Sequence, residues 1–211
     1  MFEPVHKRDF DAVYNVRTPH EYYRGLQPTG YRMPEVIADT LRLLAPRFRA
    51  EKVADNDLSV VDFACGYGAI GALLRHRLSM QEVFAYYAND ANDKAALSRA
   101  EAWLSARALA LPGITLTGLD IADNALRYAE ELGFVDAAFA EDLVAEEPSP
   151  ELRETLARAH LIVESGGVDE IQATVFERIL AAEPRPWILR SPRPDVDWTI
   201  FDTVFAGHDY V

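Results

Sequence analysis

Five short runs of apolar and β-branched residues alternate with longer helix-like segments along this chain of 211 residues. Short apolar runs bounded by turn residues are typical of buried strands, and the longer segments carry apolar residues at helical spacing. Parallel strands need a crossover that passes over one face of the sheet, and a helix usually makes it. The alternation predicts an α/β fold with a doubly wound, mainly parallel sheet and helices on both faces. The five predicted strands are residues 58–64, 114–120, 135–143, 160–167 and 186–192.

Local signals at helix ends support this organisation. Ser79 and Glu82 match a capping box, and Gly133 suits the left-handed position that ends a helix. The length of the chain is that of one domain. We therefore expect a single domain with an N-terminal helical arm and helix over residues 1–50 and a helical insert over residues 79–112.

Charge and composition exclude several classes of partner. The net charge is −13 and no run of Lys or Arg appears, which argues against a general nucleic-acid-binding protein. No apolar stretch approaches the ~18 residues of a membrane span, and the start of the chain does not resemble a secretory signal. Cys65 is the single cysteine, so no intramolecular disulfide can form. These features favour a cytoplasmic protein that acts on a small molecule, with no nucleic-acid or membrane partner.

Residues 60–71 read VVDFACGYGAIG and contain the pattern G-x-G-x-x-G. This pattern is usually a cradle for a dinucleotide pyrophosphate. Asp62 lies just before the glycines, and its carboxylate would repel a pyrophosphate. An amino acid-like ligand suits the loop better, because its ammonium group needs an acceptor. The alternative is that Asp62 hydrogen-bonds loop amides without contacting a ligand. One aspartate can also do both, because binding a ligand and ordering the loop are compatible.

Two further acids follow predicted strands. Asp120 ends the second strand, where a carboxylate can accept hydrogen bonds from both hydroxyls of a ribose, although it can equally cap the next helix. Asp142 follows the third strand and can accept a proton from an adenine amine, with Leu143 packing beside the ring. The alternative for Asp142 is a solvent-exposed acid without a ligand.

Three segments, VVDFACGYGAIGALL, GLDIADNALRYAEELG and AEDL, resemble the class I S-adenosylmethionine-dependent methyltransferases. The resemblance covers roughly residues 58–192. It implies a Rossmann-like sheet, S-adenosyl-L-methionine as cofactor and S-adenosyl-L-homocysteine as product. It also implies that Gly66 and Gly68 approach the methionine part, Asp120 binds the ribose, Asp142 binds the adenine, and Asp62 takes the family's acidic position. The residues expected at the cofactor are Asp62, Ala64, Gly66, Gly68, Asp120, Ile121, Asp142, Leu143 and Tyr23.

The chain departs from the family pattern in three respects. Ala64 stands where the family usually has its first loop glycine. Asp120 lies 54 positions after Gly66, against about 20 expected for such an acid, which the helical insert explains. A rival interpretation makes VFAYYAND the second strand and Asp90 its acid, but it leaves ITLTGLD as an extra strand. Finally, the family's antiparallel hairpin is missing after the last predicted helix, so the sequence is either short or truncated.

The methyl acceptor is expected to be a small molecule methylated on oxygen or nitrogen. The Asn-Pro-Pro-Tyr-like segment typical of methyltransferases that act on base or amide nitrogens is absent after the fourth strand. Candidate acceptor contacts are Glu164, Ser165, Gly166 and Arg190.

Tyr and Arg residues of the N-terminal arm are candidates to close over the cofactor, or else they only pack the arm onto the domain. They are Tyr14, Arg17, Tyr22, Tyr23 and Arg24. The insert lines the acceptor pocket or forms a homodimer surface. No metal site is expected, and the histidines are candidate bases by residue type alone.

Two other functions remain open at this stage. G-x-G-x-x-G also suits an NAD(P)-dependent oxidoreductase, although Asp62 argues against it. The lack of an obvious base leaves room for a protein that binds S-adenosylmethionine without transferring its methyl group.

Overall fold

The computed structural model describes residues 11–52, 57–89, 92, 96–109, 113–165, 173–181, 185–191 and 197–210. Its five described strands are all parallel, in the order β3-β2-β1-β4-β5. They are β1 Leu58–Phe63, β2 Ile114–Asp120, β3 Ala137–Ala140, β4 Leu161–Glu164 and β5 Trp187–Arg190. The predicted strands are confirmed; β2 has the predicted bounds, and the other four are shorter than predicted.

The described helices precede the sheet, connect its strands or follow the last strand. They are α1 Asp11–Tyr14, α2 His20–Leu26, α3 Met33–Lys52, α4 Ala69–Arg75, α5 Met80–Tyr87, α6 Ala96–Ser105, α7 Asp123–Glu131, α8 Pro150–Leu156, α9 Ala173–Leu180 and α10 Thr199–Gly207. A short 3₁₀ turn, Gln27–Thr29, joins α2 to the chain that leads into α3. None of the described helices combines the length and apolar character needed to cross a membrane.

Helices cover both faces of the sheet, as the strand–helix alternation predicts. Successive residues of a strand point to opposite faces, so Val60 joins the core under α3, α4 and α7, whereas Val61 joins the core under α8, α9 and α10. Both valines are fully buried, which explains why β1 reads as a nearly continuous apolar run. The doubly wound α/β fold is confirmed.

The order of strands reverses at β1. This strand pairs with β2 on one side, where Asp62 stands opposite Gly118, and with β4 on the other, where it stands opposite Val163. In open α/β sheets, ligands bind at the carboxyl ends of the strands beside this reversal. A ligand site is therefore expected at the loops after β1, β2 and β4.

The second strand is 114–120, and the rival interpretation of VFAYYAND is wrong. Residues 80–87 form α5, and Ser79 with Glu82 makes the predicted capping box at its start. This reciprocal cap satisfies backbone donors at the start of α5 and therefore stabilises residues 80–87 as a helix rather than a strand. Asp90 lies outside the described residues.

The N-terminal arm packs onto the domain. His20 and Tyr23 of α2 are buried, and the Tyr23 ring stacks on Tyr87 of α5 with centroids 4.8 Å apart. Such stacking of large rings fixes α2 against the insert. Residues 13–16 begin within α1 and end three residues before α2. They reach the carboxyl end of the sheet through the Tyr14–Asp120 hydrogen bond, and we call them the strap.

Candidate functional site

The loop after β1 turns tightly through left-handed backbone. Ala64, Gly66 and Gly68 all have positive φ, of 57°, 52° and 71°. Alanine carries a steric penalty in this region that glycine does not. Ala64 thus adopts the left-handed conformation that this turn requires, at some conformational cost.

The glycines of this loop do different things. A Cβ on Gly68 would lie 2.8 Å from the Ala129 Cβ, and one on Gly71 would lie 2.1 Å from the Phe134 carbonyl oxygen. These two glycines permit close packing of α4 against the α7–β3 connection. A Cβ on Gly66 would instead meet the Tyr14 hydroxyl at 2.8 Å. Of the three glycines, only Gly66 borders the strap.

Asp120 holds the loop and the strap together. Its Oδ2 accepts hydrogen bonds from the Gly66 N–H at 2.8 Å and from the Tyr14 hydroxyl at 2.7 Å. Its Oδ1 accepts one from the Ala122 N–H at 3.0 Å, which anchors the start of α7. The carboxylate is buried, so each partner also compensates for the water it has lost.

Asp62 is a second buried acid beneath the same loop. Only 1% of it is exposed, and its Oδ2 has no hydrogen-bond partner among the described residues. Burial, with smaller contributions from the charges of Asp120 and Glu164, raises the pKa of Asp62 to about 8, although a hydrogen bond with Cys65 opposes the shift. A cationic ligand beside this carboxyl would lower its pKa and favour the ionised form.

We expect the free energy of unfolding to fall with rising pH because of Asp62. An acid whose pKa is raised in the folded state keeps a proton that the unfolded chain has released, so stability declines from the unfolded pKa up to about 8. Urea titrations should show wild type losing about 1–2 kcal/mol relative to Asp62→Asn between pH 6 and 8. Asp57→Asn, an exposed change just before the same strand, should keep the wild-type slope. Parallel slopes for wild type and Asp62→Asn would contradict the assignment.

The strap is bound at every residue from 14 to 16. Besides the Tyr14–Asp120 hydrogen bond, the Asn15 Oδ1 accepts from the Asn124 N–H at 2.9 Å, near the start of α7. The Tyr67 hydroxyl donates to the Val16 carbonyl at 2.9 Å and accepts from the Val16 N–H at 3.2 Å. Burial, followed by the nearby Asp120 carboxylate, raises the pKa of Tyr14 well above its usual value, so this hydroxyl stays protonated and donates.

Among the described residues of the arm, Tyr14 donates a hydrogen bond to Asp120 at the candidate site. Tyr23, which the sequence assigned to the cofactor, is buried behind it, where its ring contacts Tyr22, Tyr67 and Tyr87. The richness of the arm in tyrosine was the signal for this contact, but it does not identify which ring reaches Asp120.

The loops after β2 and β3 expose apolar side chains at the same edge. Ile121, next to Asp120, is 67% exposed, and Val144, after the neighbouring strand, is 41% exposed. Asp142 caps its own turn, because its Oδ1 accepts from the N–H groups of Val144 and Ala145. Leu143 is buried in the core under α8–α10. Ile121 and Val144 thus form the exposed apolar surface here.

Glu164 and Arg190 end adjacent strands. They stand opposite each other in the β4–β5 pair, and Glu164 is fully buried. The Arg190 guanidinium lies over the rings of Trp198 and Phe201, at 4.1 and 4.6 Å from their centroids. Burial lowers the pKa of Arg190, and the Glu164 charge counters that shift. These two residues lie on the α9–α10 face of the sheet, the opposite face from Asp62.

The residue after β4 contacts the N-terminal arm. The Tyr31 hydroxyl donates a hydrogen bond to the Ser165 carbonyl just after β4. These residues are far apart in the sequence, so no local sequence pattern predicts the contact. Gly166, the remaining candidate there, lies outside the described residues.

Four histidines have structural contacts away from this edge or within the core. The His160 Nδ1 accepts from the Ser59 N–H, His208 pairs with Glu177, His76 contacts the Ala72 carbonyl, and the His20 ring packs on Tyr87. Within the described ranges, no three His, Cys, Asp or Glu side chains are grouped to hold a metal ion.

A cavity of about 370 Å³ lies at the opposite end of the sheet, where β2 begins. Arg75 and Asp136 line it, and they pair with each other across 2.5 Å. Because these charges are already matched, and the cavity is far from the strand ends that bear Asp62 and Asp120, it does not belong to the candidate site.

Comparison with known proteins gives no further assignment. No protein-family model matches the chain, and no curated protein matches it.

Proposed function

We propose that this protein binds S-adenosyl-L-methionine and transfers its methyl group to an oxygen or nitrogen of a small molecule. The observation that carries the proposal is the buried Asp120, which ends β2 and accepts the Gly66 N–H beside the reversal of strand order. A carboxylate in this position is suited to the paired hydroxyls of a ribose, and glycine lets the ligand approach the backbone.

Two other features fit the same cofactor. Asp62 offers a buried oxygen without a hydrogen-bond partner in the described part of the chain, on the side of the loop where an ammonium group needs an acceptor. Ile121 and Val144 offer apolar surface for the flat face of an adenine. The fit has one condition, because the Tyr14 hydroxyl now occupies the acceptor oxygen that a ribose would use.

The role of the chain in this reaction is alignment. When bound, the cofactor supplies a methyl group on a sulfonium, which an in-line displacement transfers while sulfur keeps the electron pair. The protein orients donor and acceptor and excludes water, which is the main source of rate in such a step. Asp120 and the glycine loop would hold the donor, and the acceptor would bind beside the ends of β4 and β5.

Calorimetric titration with S-adenosylhomocysteine and with NADH tests the proposal. We expect binding of S-adenosylhomocysteine and none of NADH. Binding of NADH alone would instead favour a nicotinamide-dependent oxidoreductase. Incubation of the protein with methyl-labelled cofactor and a metabolite extract then tests transfer, and binding without any labelled product would favour a binding protein that lacks transferase activity.

A further inference from the structure

The strap occupies the position that the proposed cofactor requires. The Tyr14 hydroxyl donates to Asp120 Oδ2 and fills the space that Gly66 leaves by having no Cβ. Oδ2 already accepts the Gly66 N–H as well, so its two lone pairs are used. A ribose hydroxyl therefore gains this oxygen only when Tyr14 leaves it.

The position of the strap on the surface allows it to separate from Asp120. Its outer side is open to solvent, since Asn15 and Val16 are exposed, and so is Arg17 after it. Pro19 and His20, which follow, are buried and fix the rest of the arm. Residues 17 and 18 thus separate the strap from a segment held by fully buried residues. The strap is held by a few hydrogen bonds and by the partly buried Tyr14 ring, which packs on Tyr22 and Tyr67. Segments with fewer buried contacts open locally more easily.

We propose that the strap is an internal competitor for the cofactor site, in which the Tyr14 hydroxyl takes the place of a ribose hydroxyl and must be displaced before a nucleoside ligand can bind. This inference rests on the proposed function, and it concerns how the same site is regulated. The ligand then binds only the fraction of molecules whose strap is open, so its apparent affinity is reduced by that fraction.

Removal of the competing hydroxyl tests this directly. We expect Tyr14→Phe to bind S-adenosylhomocysteine about tenfold more tightly than wild type, because phenylalanine cannot donate to Asp120. Asn15→Ala, which removes one of the two hydrogen bonds between the strap and Asn124 without changing Asp120, should also tighten binding. Tyr86→Phe is the matched control, because its ring stacks on Trp103 away from the site, and its affinity should equal that of wild type.

A second readout follows the strap itself. Trypsin should cut between Arg17 and Thr18 faster when S-adenosylhomocysteine is present, although ligands generally protect a protein from proteolysis. Measurable binding with equal affinity in wild type and Tyr14→Phe, weaker binding by Tyr14→Phe, or slower cleavage at Arg17 with ligand would each overturn the strap proposal and leave the cofactor assignment standing. Absence of binding by wild type, Tyr14→Phe and Asn15→Ala alike would overturn the cofactor assignment and the competition with it.

Discussion

Replacement of Asp120 by alanine should lower the affinity for S-adenosylhomocysteine by about 10- to 100-fold, equivalent to about 1–3 kcal/mol. The variant loses the proposed acceptor of the ribose and also the acceptor for the Gly66 N–H, which keeps the glycine loop in place. Calorimetry on the folded variant measures the effect. An unchanged affinity would mean that the ligand does not contact the end of β2.

The same substitution should reduce the free energy of unfolding by about 2–4 kcal/mol, because it leaves buried donors without an acceptor. Asp120→Asn does not restore all of them. An amide oxygen can accept from Gly66 and Tyr14, but its NH₂ group then faces the Ala122 N–H. Asp123→Asn is the control, because that exposed acid lies three positions away and pairs only weakly with Arg127 across 3.6 Å.

Replacement of Gly71 by alanine should destabilise the protein by at least about 3 kcal/mol. The new Cβ would lie 2.1 Å from the Phe134 carbonyl oxygen and 3.0 Å from a methyl of Leu116. The Phe134 carbonyl is part of the backbone, and the Phe134 N–H donates a hydrogen bond to the Ala129 carbonyl. Moving this peptide aside would therefore strain or break that hydrogen bond. Urea denaturation monitored by circular dichroism gives the change.

Gly207→Ala supplies the matched control for this prediction. Gly207 also lies in a helix, α10, but nothing lies within 4 Å of an added Cβ there. Alanine is the better helix former by up to about 1 kcal/mol, so this variant should be as stable as wild type or slightly more stable. Similar losses for Gly71→Ala and Gly207→Ala would show that α4 does not pack against Phe134 as described.

The fold could be predicted because its signals are local. Alternating apolar runs, the capping box at Ser79 and the left-handed Gly133 each depend on a few neighbouring residues, and the structure confirms them. The choice of 114–120 as the second strand came from its motif and was correct. Periodicity and end signals of this kind act within one or two turns of chain.

The arrangement at the candidate site could be predicted only in part. The acids at 62 and 120 follow from their positions at strand ends, but the Tyr14–Asp120 contact joins residues 106 positions apart. No local sequence signal distinguishes Tyr14 from Tyr23. The difference becomes visible only in the structure, where α2 places the Tyr23 side chain in the core. Asp142 shows another limit, since an aspartate after a strand has a competing use in capping its own turn.

The central position of β1 has a consequence for how the molecule opens. Its amide groups are enclosed by paired strands on both sides, with α4 and α9 above and below, so they should exchange hydrogen with deuterium only when the whole domain unfolds. The amides of Asn15 and Val16 should exchange many times faster. Opening of the strap and global unfolding would then be separate events, and the strap would open repeatedly while the backbone hydrogen bonds of β1 stay formed.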